Sequence, residues 1–312
     1  MLFRYPFLAM GSGCEILIEE EREREVKPLL HSALASIQQL ERKYSTFQES
    51  SFLSEINREA FRQPVELDGE TRFLFQAAAR VHAATAGAFD PTVGSLRGCW
   101  NFADMALPDE ALLREKLEAV GWRHVHLEGS SLRLDHPETR IDFGGLVKEY
   151  AIDVAVSVLR ALGVRRGLVN LGGDLRLVGD IGETERPFFV GVAHPRRHHG
   201  TCATLGLRRG AVVTSGDYQR YFLRDGQRYH HLLDPRTGYP LALSYAGVTA
   251  HGATALDALA ACKAMVLPPT PCESKEPGGA FVACDISGNP VAWRESPACT
   301  FSIQGQSRKA IA

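Results

Sequence analysis

The sequence predicts a mixed fold in which α-helices and β-strands alternate along the chain. Two patterns predict it: apolar residues recur at three- and four-residue steps in some segments, and short apolar runs end at glycines or turn residues in others. The 312 residues are 45% hydrophobic and 23% charged, which is ordinary for one large globular domain or two closely joined ones.

Four segments have the apolar periodicity of helices that cover a core. They are residues 26–43, 69–85, 148–162 and 256–267. Gly87 and Gly163 follow the second and third segments, as glycine commonly follows the last turn of a helix. We interpret the charged run at 19–25, before the first helix, as an exposed turn.

The strands are predicted from short apolar runs. They are residues 14–19, 166–173, 190–193, 203–207 and 211–214, and a hairpin formed by 280–285 and 290–293 around Ser-Gly-Asn. The basic loop at 194–200 is either a phosphate-binding loop or a solvated hairpin tip, and composition favours the tip. Residues 268–279 are predicted to cross the surface, and the polar end from residue 304 to fray.

Composition argues against several classes of protein. A formal charge of −2 provides no overall field that would attract nucleic acid or an anionic membrane. No apolar run approaches the length of a membrane span, and the apolar stretch at the start is too short for a signal peptide. The seven cysteines are scattered and include no C-x-x-C pair, which argues against a disulfide framework and a zinc site. We therefore expect a cytoplasmic protein.

A glycine pair separates an acid from a lysine at residues 142–148. Asp142 ends a predicted strand, two glycines form the turn, and Lys148 begins a helix. Backbone N–H groups at a helix start and a nearby ammonium both favour a phosphate. An ordinary helix cap with a surface lysine explains the same pattern, and it is the better reading of this motif alone.

Adjacent histidines stand before a fixed turn. His230 and His231 precede Leu-Leu-Asp-Pro-Arg-Thr-Gly, so one ring should face inward in a defined position. A positioned imidazole can accept a proton from a hydroxyl, although a single histidine is more often structural. Asp217, at the end of another predicted strand, supplies a carboxylate that could orient the ring.

Asp257 lies in the first turn of an otherwise apolar, alanine-rich helix. A carboxylate there is either a charge favoured by the helix dipole or a ligand for a hard cation. Taken alone, this position favours the first interpretation.

In their order along nearly the whole chain, the motifs resemble the ApbE family, the FAD:protein FMN transferases. The matching segments are Ala-Met-Gly-Ser at 9–12, Tyr-Ser-Thr-Phe at 44–47, Ser-Glu-Ile-Asn at 54–57, Gly-Ala-Phe-Asp-Pro-Thr-Val-Gly at 87–94, Val-Asn-Leu-Gly-Gly at 169–173, Asp-Ala-Leu-Ala at 257–260, and the segments at 142–148, 214–218 and 231–240. Each motif is modest, but their order is specific.

The resemblance implies an enzyme that binds FAD, splits its pyrophosphate with the help of Mg²⁺, and joins FMN to a Thr or Ser hydroxyl of a target flavoprotein. It also implies an α+β fold of the ApbE type (T-fold-like), with mixed, mostly antiparallel sheets packed by helices and a cleft between two lobes. Residues 1–312 would then form a single domain of two closely packed lobes.

By position, the resemblance also assigns site residues. His231 is similar to the proposed base, with Asp217 beside the site, and the metal ligands are Asp257 and the carbonyl of Gly145. Phe47 offers a ring suitable for stacking. The expected flavin-nucleotide contacts are Met10, Phe47, Ala88, Phe89, Asp90, Asp142, Lys148 and Leu233.

The chain departs from the family pattern at two places. Ala260 and Ala261 stand where the family usually has an acid and a Thr, so up to two oxygen ligands are missing. Glu149 stands where a Gly is common, and it either points to solvent or weakens anion binding. The transferase is our first hypothesis. A metal-dependent FAD pyrophosphatase and a flavin-binding or carrier protein that has lost its metal remain as alternatives.

Overall fold

Helices and strands alternate along the chain, as the sequence predicts. The computed structural model describes residues 1–267 and 279–303. The helices in these ranges are α1 (Glu23–Lys43), α2 (Phe52–Glu59), α3 (Gly69–Ala84), α4 (Glu110–Leu117), α5 (Val147–Ala161) and α6 (Ala255–Val266). The strands are β1 (Leu2–Ala9), β2 (Ser12–Glu19), β3 (Val65–Glu66), β4 (Val125–Glu128), β5 (Ser131–Leu134), β6 (Gly167–Leu171), β7 (Asp174–Leu177), β8 (Phe188–Ala193), β9 (Thr201–Leu207), β10 (Ala211–Gly216), β11 (Tyr221–Arg224), β12 (Gln227–His230), β13 (Gly247–Gly252), β14 (Phe281–Cys284), β15 (Pro290–Arg294) and β16 (Cys299–Ile303).

One large sheet organises the molecule. Its eight strands run in the order β1-β2-β6-β7-β10-β13-β14-β15, and each neighbouring pair is antiparallel. Smaller antiparallel sheets are formed by β16-β9-β8, by β3-β5-β4 and by the ribbon β11-β12. The predicted α+β fold with antiparallel sheets is confirmed.

The large sheet is apolar on both faces. Val169 and Val213 belong to the core shared with the helices, whereas Leu168 and Val212, their neighbours in sequence, belong to the core shared with the β16-β9-β8 sheet. Because successive side chains of a strand point to opposite faces, a sheet covered on both sides needs nearly continuous apolar runs. The short apolar runs seen in the sequence meet this need.

A third, smaller core forms beside the large sheet. Leu96, Leu113, Phe222 and Tyr229 pack around Trp100, which joins α4 to the β11-β12 ribbon. The indole N–H of Trp100 donates a hydrogen bond of 2.8 Å to the carbonyl of Gly238, so the ring also fixes the turn that follows the histidine pair.

Asp153 positions α6 against the rest of the fold. Its carboxylate lies on α5, accepts hydrogen bonds from the backbone N–H groups of Ala255 (2.8 Å) and Leu256 (3.1 Å), and pairs with Arg176 of β7 at 2.6 Å. A second cap comes from Thr254 and Asp257, whose side chains form a reciprocal capping box at the same helix start. Three elements therefore meet at one largely buried carboxylate, whose side chain is 13% exposed.

The predicted helices are all present, with bounds that differ from the structure by a few residues. The predicted hairpin corresponds to β14 and β15, and the basic loop at 194–200 is the tip of the β8–β9 hairpin. Its Arg196 is not simply solvated, however, because it pairs with Asp217. Sequence patterns missed two helices, α2 and α4, and the strands β1, β3, β4, β5, β7, β11, β13 and β16. The predictions for residues 268–278 and 304–312 lie outside the described residues.

Across residues 1–267 and 279–303, none of the helices combines the length and the apolar character required to cross a bilayer.

Replacing Asp153 by Ala should lower the free energy of unfolding by about 3 kcal/mol, because it leaves Arg176 buried without its partner and uncaps α6. Urea unfolding followed by circular dichroism measures the change. The matched control is Glu110→Ala, which removes an exposed pair with Arg114 and should change the stability by less than about 1 kcal/mol. Equal losses in the two variants would contradict the role given to Asp153.

Candidate functional site

A cleft of about 440 Å³ opens where several elements end. The start of α5, the end of β10 and the C-terminal half of α6 line it, together with the segment that follows α3. Most of the predicted site residues lie in its wall, namely Ala88, Phe89, Asp90, Asp142, Gly145, Lys148, His231 and Leu233. Residues far apart in the sequence thus converge on one cavity.

The glycine turn before α5 is held from both sides. The carboxylate of Asp142 accepts a hydrogen bond of 2.6 Å from the N–H of Gly144, and its own N–H donates to the carbonyl of Pro91 at 2.9 Å. A Cβ at Gly145 would lie 3.1 Å from the ring of Phe89, so a side chain there would crowd the ring. No side chain caps the start of α5. Within the described residues, the first amides of α5 therefore have no side-chain acceptor at the helix cap, and the start of the helix lines the cleft.

Lys148 belongs to a buried cluster of charges. Its ammonium pairs with Glu149 at 3.2 Å and makes a short contact with Asp174, the first residue of β7. Asp174 also accepts a hydrogen bond of 2.7 Å from the N–H of Thr214. Burial raises the pKa of Asp174 to about 7, although Lys148 opposes the shift. Burial also acts against the charged form of Lys148, but the two acids raise its pKa above the ordinary value.

Glu149 does not point to solvent, so that alternative from the sequence is wrong. Its side chain is buried with only 3% of the residue exposed, and it lines the cleft. Burial opposes its charge, but Lys148 and a hydrogen bond with Asp174 lower its pKa. Its Oε2 atom has no hydrogen-bond partner among the described residues. The negative charge that the sequence placed near a phosphate is therefore compensated inside the protein.

The two histidines have different environments. His230 is buried; its ring makes hydrogen bonds with the carbonyl of Leu241 (3.1 Å) and the N–H of Leu232 (3.3 Å). His231 lines the cleft, and its Nδ1 lies 3.2 Å from the carbonyl of Arg220. This contact requires the proton on Nδ1, which leaves the lone pair on Nε2. Burial, helped by the ammonium of Lys263, lowers the pKa of His231 to about 4.

Asp217 does not make the expected contact with His231 within the described part of the chain. Its two oxygens accept hydrogen bonds of 2.6 and 2.7 Å from Arg196, and Arg228 lies 3.7 Å away. Asp217 is not in the cleft wall, whereas Thr214, Ser215 and Gly216 before it are. The carboxylate therefore ties the end of β10 to the β8–β9 hairpin.

Two of the predicted flavin contacts lie outside the cleft wall. Phe47 is 85% exposed, and the guanidinium of Arg97, a cleft residue, stacks 3.7 Å from the centre of its ring. Met10 lies in the β1–β2 turn, where its N–H donates to Glu41 at 2.6 Å. Phe47 therefore lies beside the cavity through its contact with Arg97, whereas Met10 has no contact of this kind among those described.

Asp90 lines the cleft but is fully engaged by the protein. Its oxygens accept hydrogen bonds from the N–H and hydroxyl of Thr92 and from the N–H of Trp122. Burial acts against its charge, but the hydrogen bonds from His82 and Thr92 keep its pKa below the ordinary value. These contacts hold the segment that forms one wall.

The two residues predicted to bind a metal belong to different elements, one in the turn before α5 and the other in the first turn of α6. Gly145 lies in the cleft wall, whereas Asp257 is exposed and uses its Oδ2 to accept hydrogen bonds from the N–H (3.1 Å) and hydroxyl (2.7 Å) of Thr254. Ala260 and Ala261 carry no oxygen in their side chains. Within residues 1–267 and 279–303, no three His, Cys, Asp or Glu side chains form a group that could hold a metal ion.

Sequence reasoning missed several residues of the wall, among them Trp100, Asp174 and Lys263. Lys263 carried a usable signal, because it is the one lysine in the otherwise apolar α6. Asp174 follows the Gly-Gly pair at the end of a predicted strand, so it could have been found in the same way as Asp142.

Solved structures with this fold are known. One is a crystal structure of the ApbE protein from Thermotoga maritima, with a TM-score of 0.80 and 29% sequence identity. The match covers 95% of this chain and 97% of the Thermotoga chain. The flavin transferase ApbE from Vibrio cholerae has a TM-score of 0.79 and 22% identity, and it supports the fold alone.

Curated relatives agree with this likeness. A protein of Vibrio cholerae named FAD:protein FMN transferase is 33% identical over 211 residues, which are 66% of this chain and 63% of that relative. A protein of Treponema pallidum with the same name is 32% identical over 254 residues, 75% of this chain and 69% of its own length. The model of the ApbE family matches residues 10–273. The chain belongs to the ApbE family.

Proposed function

We propose that the protein is an FAD:protein FMN transferase, which moves FMN from FAD to a Thr or Ser hydroxyl of a target flavoprotein and releases AMP. The relatives' names support the activity. The observation that carries the proposal is the position of His231, a neutral imidazole in the wall of a cleft that also contains Lys148.

The cleft suits a dinucleotide that is flat at its ends and anionic in the middle. Phe89, Trp100 and Phe102 give it aromatic walls, and Lys148 and the uncapped start of α5 supply groups that favour a phosphate. Its volume is in the range of small-molecule sites. Met10 and Phe47 stay in the proposal as contacts of parts of FAD that extend beyond the cavity.

The transfer needs a base and a way to neutralise phosphate charge. The acceptor oxygen attacks the phosphorus nearer riboflavin, the bridging P–O bond breaks, and its electron pair leaves with AMP. His231 Nε2 takes the proton of the hydroxyl, while Lys148 and the backbone amides at the start of α5 stabilise the phosphate oxygens. Asp217 enters the proposal as a positioning residue that holds the end of β10 through Arg196.

The family resemblance also implies a bound Mg²⁺ ion, but the residues at the expected ligand positions do not supply the oxygen atoms that this ion needs. Mg²⁺ requires near-octahedral oxygen coordination, but Asp257 uses its Oδ2 in the capping box and Ala260 and Ala261 offer no side-chain oxygen, so the side chains of α6 supply at most one oxygen at these positions. We therefore assign no step of the transfer to a metal ion. The wall of the cleft has positive charges of its own, on Lys148, Lys263, Arg97 and Arg220.

Three further statements belong to the same proposal. Residues 1–312 form one domain of two closely packed lobes, with the cleft between them. The partner is a flavoprotein that presents a Thr or Ser at its surface. The protein works in the cytoplasm, where thiols stay reduced; Cys14, Cys99, Cys202, Cys262, Cys284 and Cys299 are free in the structure.

Intact-mass measurement tests the activity. The protein is incubated with FAD, with and without Mg²⁺, and with a candidate flavoprotein domain that carries a Thr acceptor. A mass gain equal to one FMN moiety on the acceptor supports transfer. Release of AMP and FMN with an unmodified acceptor would replace the proposal by a pyrophosphatase, and unchanged FAD would replace it by a flavin carrier.

Replacing His231 by Ala should lower the rate of transfer by at least about 100-fold, because the acceptor hydroxyl loses its base. FAD affinity, measured by fluorescence titration, should change by less than about twofold, since a neutral ring contributes little to binding an anion. His31→Ala, which removes an exposed imidazole on α1, is the matched control and should leave both quantities unchanged. A parallel loss of FAD binding would show that His231 is not acting as the base.

The rate of transfer should not fall as the pH is lowered from about 7.5 to 5.5. A base must be neutral, and a pKa lowered to about 4 keeps His231 neutral throughout this range. Asp174, with a pKa of about 7, gains negative charge as the pH rises, so any decline should occur on the alkaline side. Single-turnover transfer at saturating FAD measures the profile, with circular dichroism to confirm folding. An acid limb centred near 6.5, the ordinary histidine value, would contradict the assignment.

A further inference from the structure

Lys263 is a buried cation that the transfer described above does not use. It lies in the C-terminal half of α6, is 7% exposed, and lines the cleft. Its neighbours on the buried side of the helix are Leu259, Cys262 and Val266. Burying an ammonium among apolar groups is costly unless its charge is used or compensated.

Its partner distinguishes Lys263 from the other lysine of the cleft. Lys148 is in ion pairs with Glu149 and Asp174, so most of its charge is compensated by the protein. Lys263 instead donates a hydrogen bond of 3.1 Å to the uncharged hydroxyl of Ser215. An ammonium has three donors. Its charge is therefore more available to an anion in the cavity than that of Lys148.

Lys263 is also close to the reacting end of the cleft. Its ammonium contributes to lowering the pKa of His231, after the larger effect of burial. It likewise contributes to lowering the pKa of Glu149, which contacts Lys148. The charge of Lys263 therefore acts on both the proposed base and the acid that pairs with Lys148.

The same helix carries the positions at which the family resemblance places metal ligands. Asp257 is held in the capping box, Ala261 lacks the usual hydroxyl, and Lys263 follows two residues later. On α6, the absence of side-chain oxygen donors at Ala260 and Ala261 is thus accompanied by the presence of a positively charged side chain, that of Lys263.

We propose that Lys263 is a phosphate-binding residue that, together with Lys148, neutralises the pyrophosphate of the dinucleotide in place of a bound metal ion. The proposal rests on the proposed function for the identity of the ligand. In the transfer, Lys263 stabilises the negative charge on the departing phosphate oxygen of AMP, while the proton of the acceptor hydroxyl goes to His231. The lysine itself is unchanged at the end.

Ligand binding in EDTA tests this role without any need for turnover. FAD carries a pyrophosphate, and riboflavin carries the same ring system without a phosphate. The wild type should bind FAD in EDTA, and Lys263→Met should weaken FAD binding at least about tenfold while changing riboflavin affinity by less than about twofold. Lys263→Arg should retain most of the FAD affinity. The matched control is Lys27→Met, which removes an exposed lysine on α1.

Three results would overturn the inference. An equal loss of FAD and riboflavin affinity in Lys263→Met would mean that the lysine only supports the fold. Unchanged FAD affinity in Lys263→Met would show that the lysine does not bind the phosphates. A wild type that binds FAD only when Mg²⁺ replaces EDTA would show that the lysine does not replace a metal ion. Thermal unfolding shows whether each variant is folded. If Lys263→Met is not folded, the FAD and riboflavin affinities of Lys263→Arg are compared with those of the Lys27→Met control, and this comparison decides.

Intact-mass measurement of the acceptor separates this inference from the proposed function. If the binding pattern holds but no acceptor gains an FMN moiety under either condition, the transferase fails and Lys263 remains a phosphate ligand of a flavin-binding protein. If transfer occurs and the binding pattern is absent, the transferase stands and the role of Lys263 is overturned.

Discussion

The eight-stranded sheet is covered on both faces, and this constraint determines where polar chemistry can lie. Strand interiors such as Leu168-Val169 and Val212-Val213 contribute one side chain to each core, so neither face tolerates an unpaired polar group. Polar residues are displaced to the strand ends, where Asp174 begins β7 and Ser215 lies near the end of β10. The cleft forms at these ends, and its location follows from the packing of the sheet.

Helices reach the same edge because buried charges hold them there. Asp153 joins α5, α6 and β7 through two backbone amides and Arg176, and Lys148 joins the start of α5 to Asp174 of β7. Breaking a buried pair leaves an uncompensated charge, so each pair strongly penalises any displacement of the helix that carries it. The cleft therefore has walls of fixed geometry.

The sequence predicted those elements whose formation depends on residues close together in the chain. The periodicity of α1 and α5 and the glycine stop at Gly163 were sufficient to place these helices. Strand β13 was missed because its pairing depends on distant partners, β10 and β14. Strand β1, at the edge of the sheet, pairs with its neighbour β2 across the turn at Met10 and Gly11, and the pattern of its own residues did not indicate it. The burial of a strand is decided by the sheet around it and only weakly by its own residues.

For the site, too, the sequence predicted the residues that belong to motifs but not the contacts between distant parts of the chain. Motif order identified His231, Lys148 and the Gly-Gly turn, which do line the cleft. It could not reveal that Asp217 pairs with Arg196, because 21 residues separate them, or that Lys263 meets Ser215, 48 residues away. Contacts of this kind are created by the fold, and a single sequence contains no direct record of them.

Trp100 also gives the molecule an optical property. Of the three tryptophans in the chain, Trp100 borders the cavity, whereas Trp122 stacks on His82 and Trp293 belongs to the core between the eight-stranded sheet and the β16-β9-β8 sheet. Indole emission overlaps the near-ultraviolet absorption of an isoalloxazine ring. A flavin in the cavity would therefore quench Trp100 more strongly than the other two, and the intrinsic fluorescence of the unlabelled protein would report occupancy of the cleft.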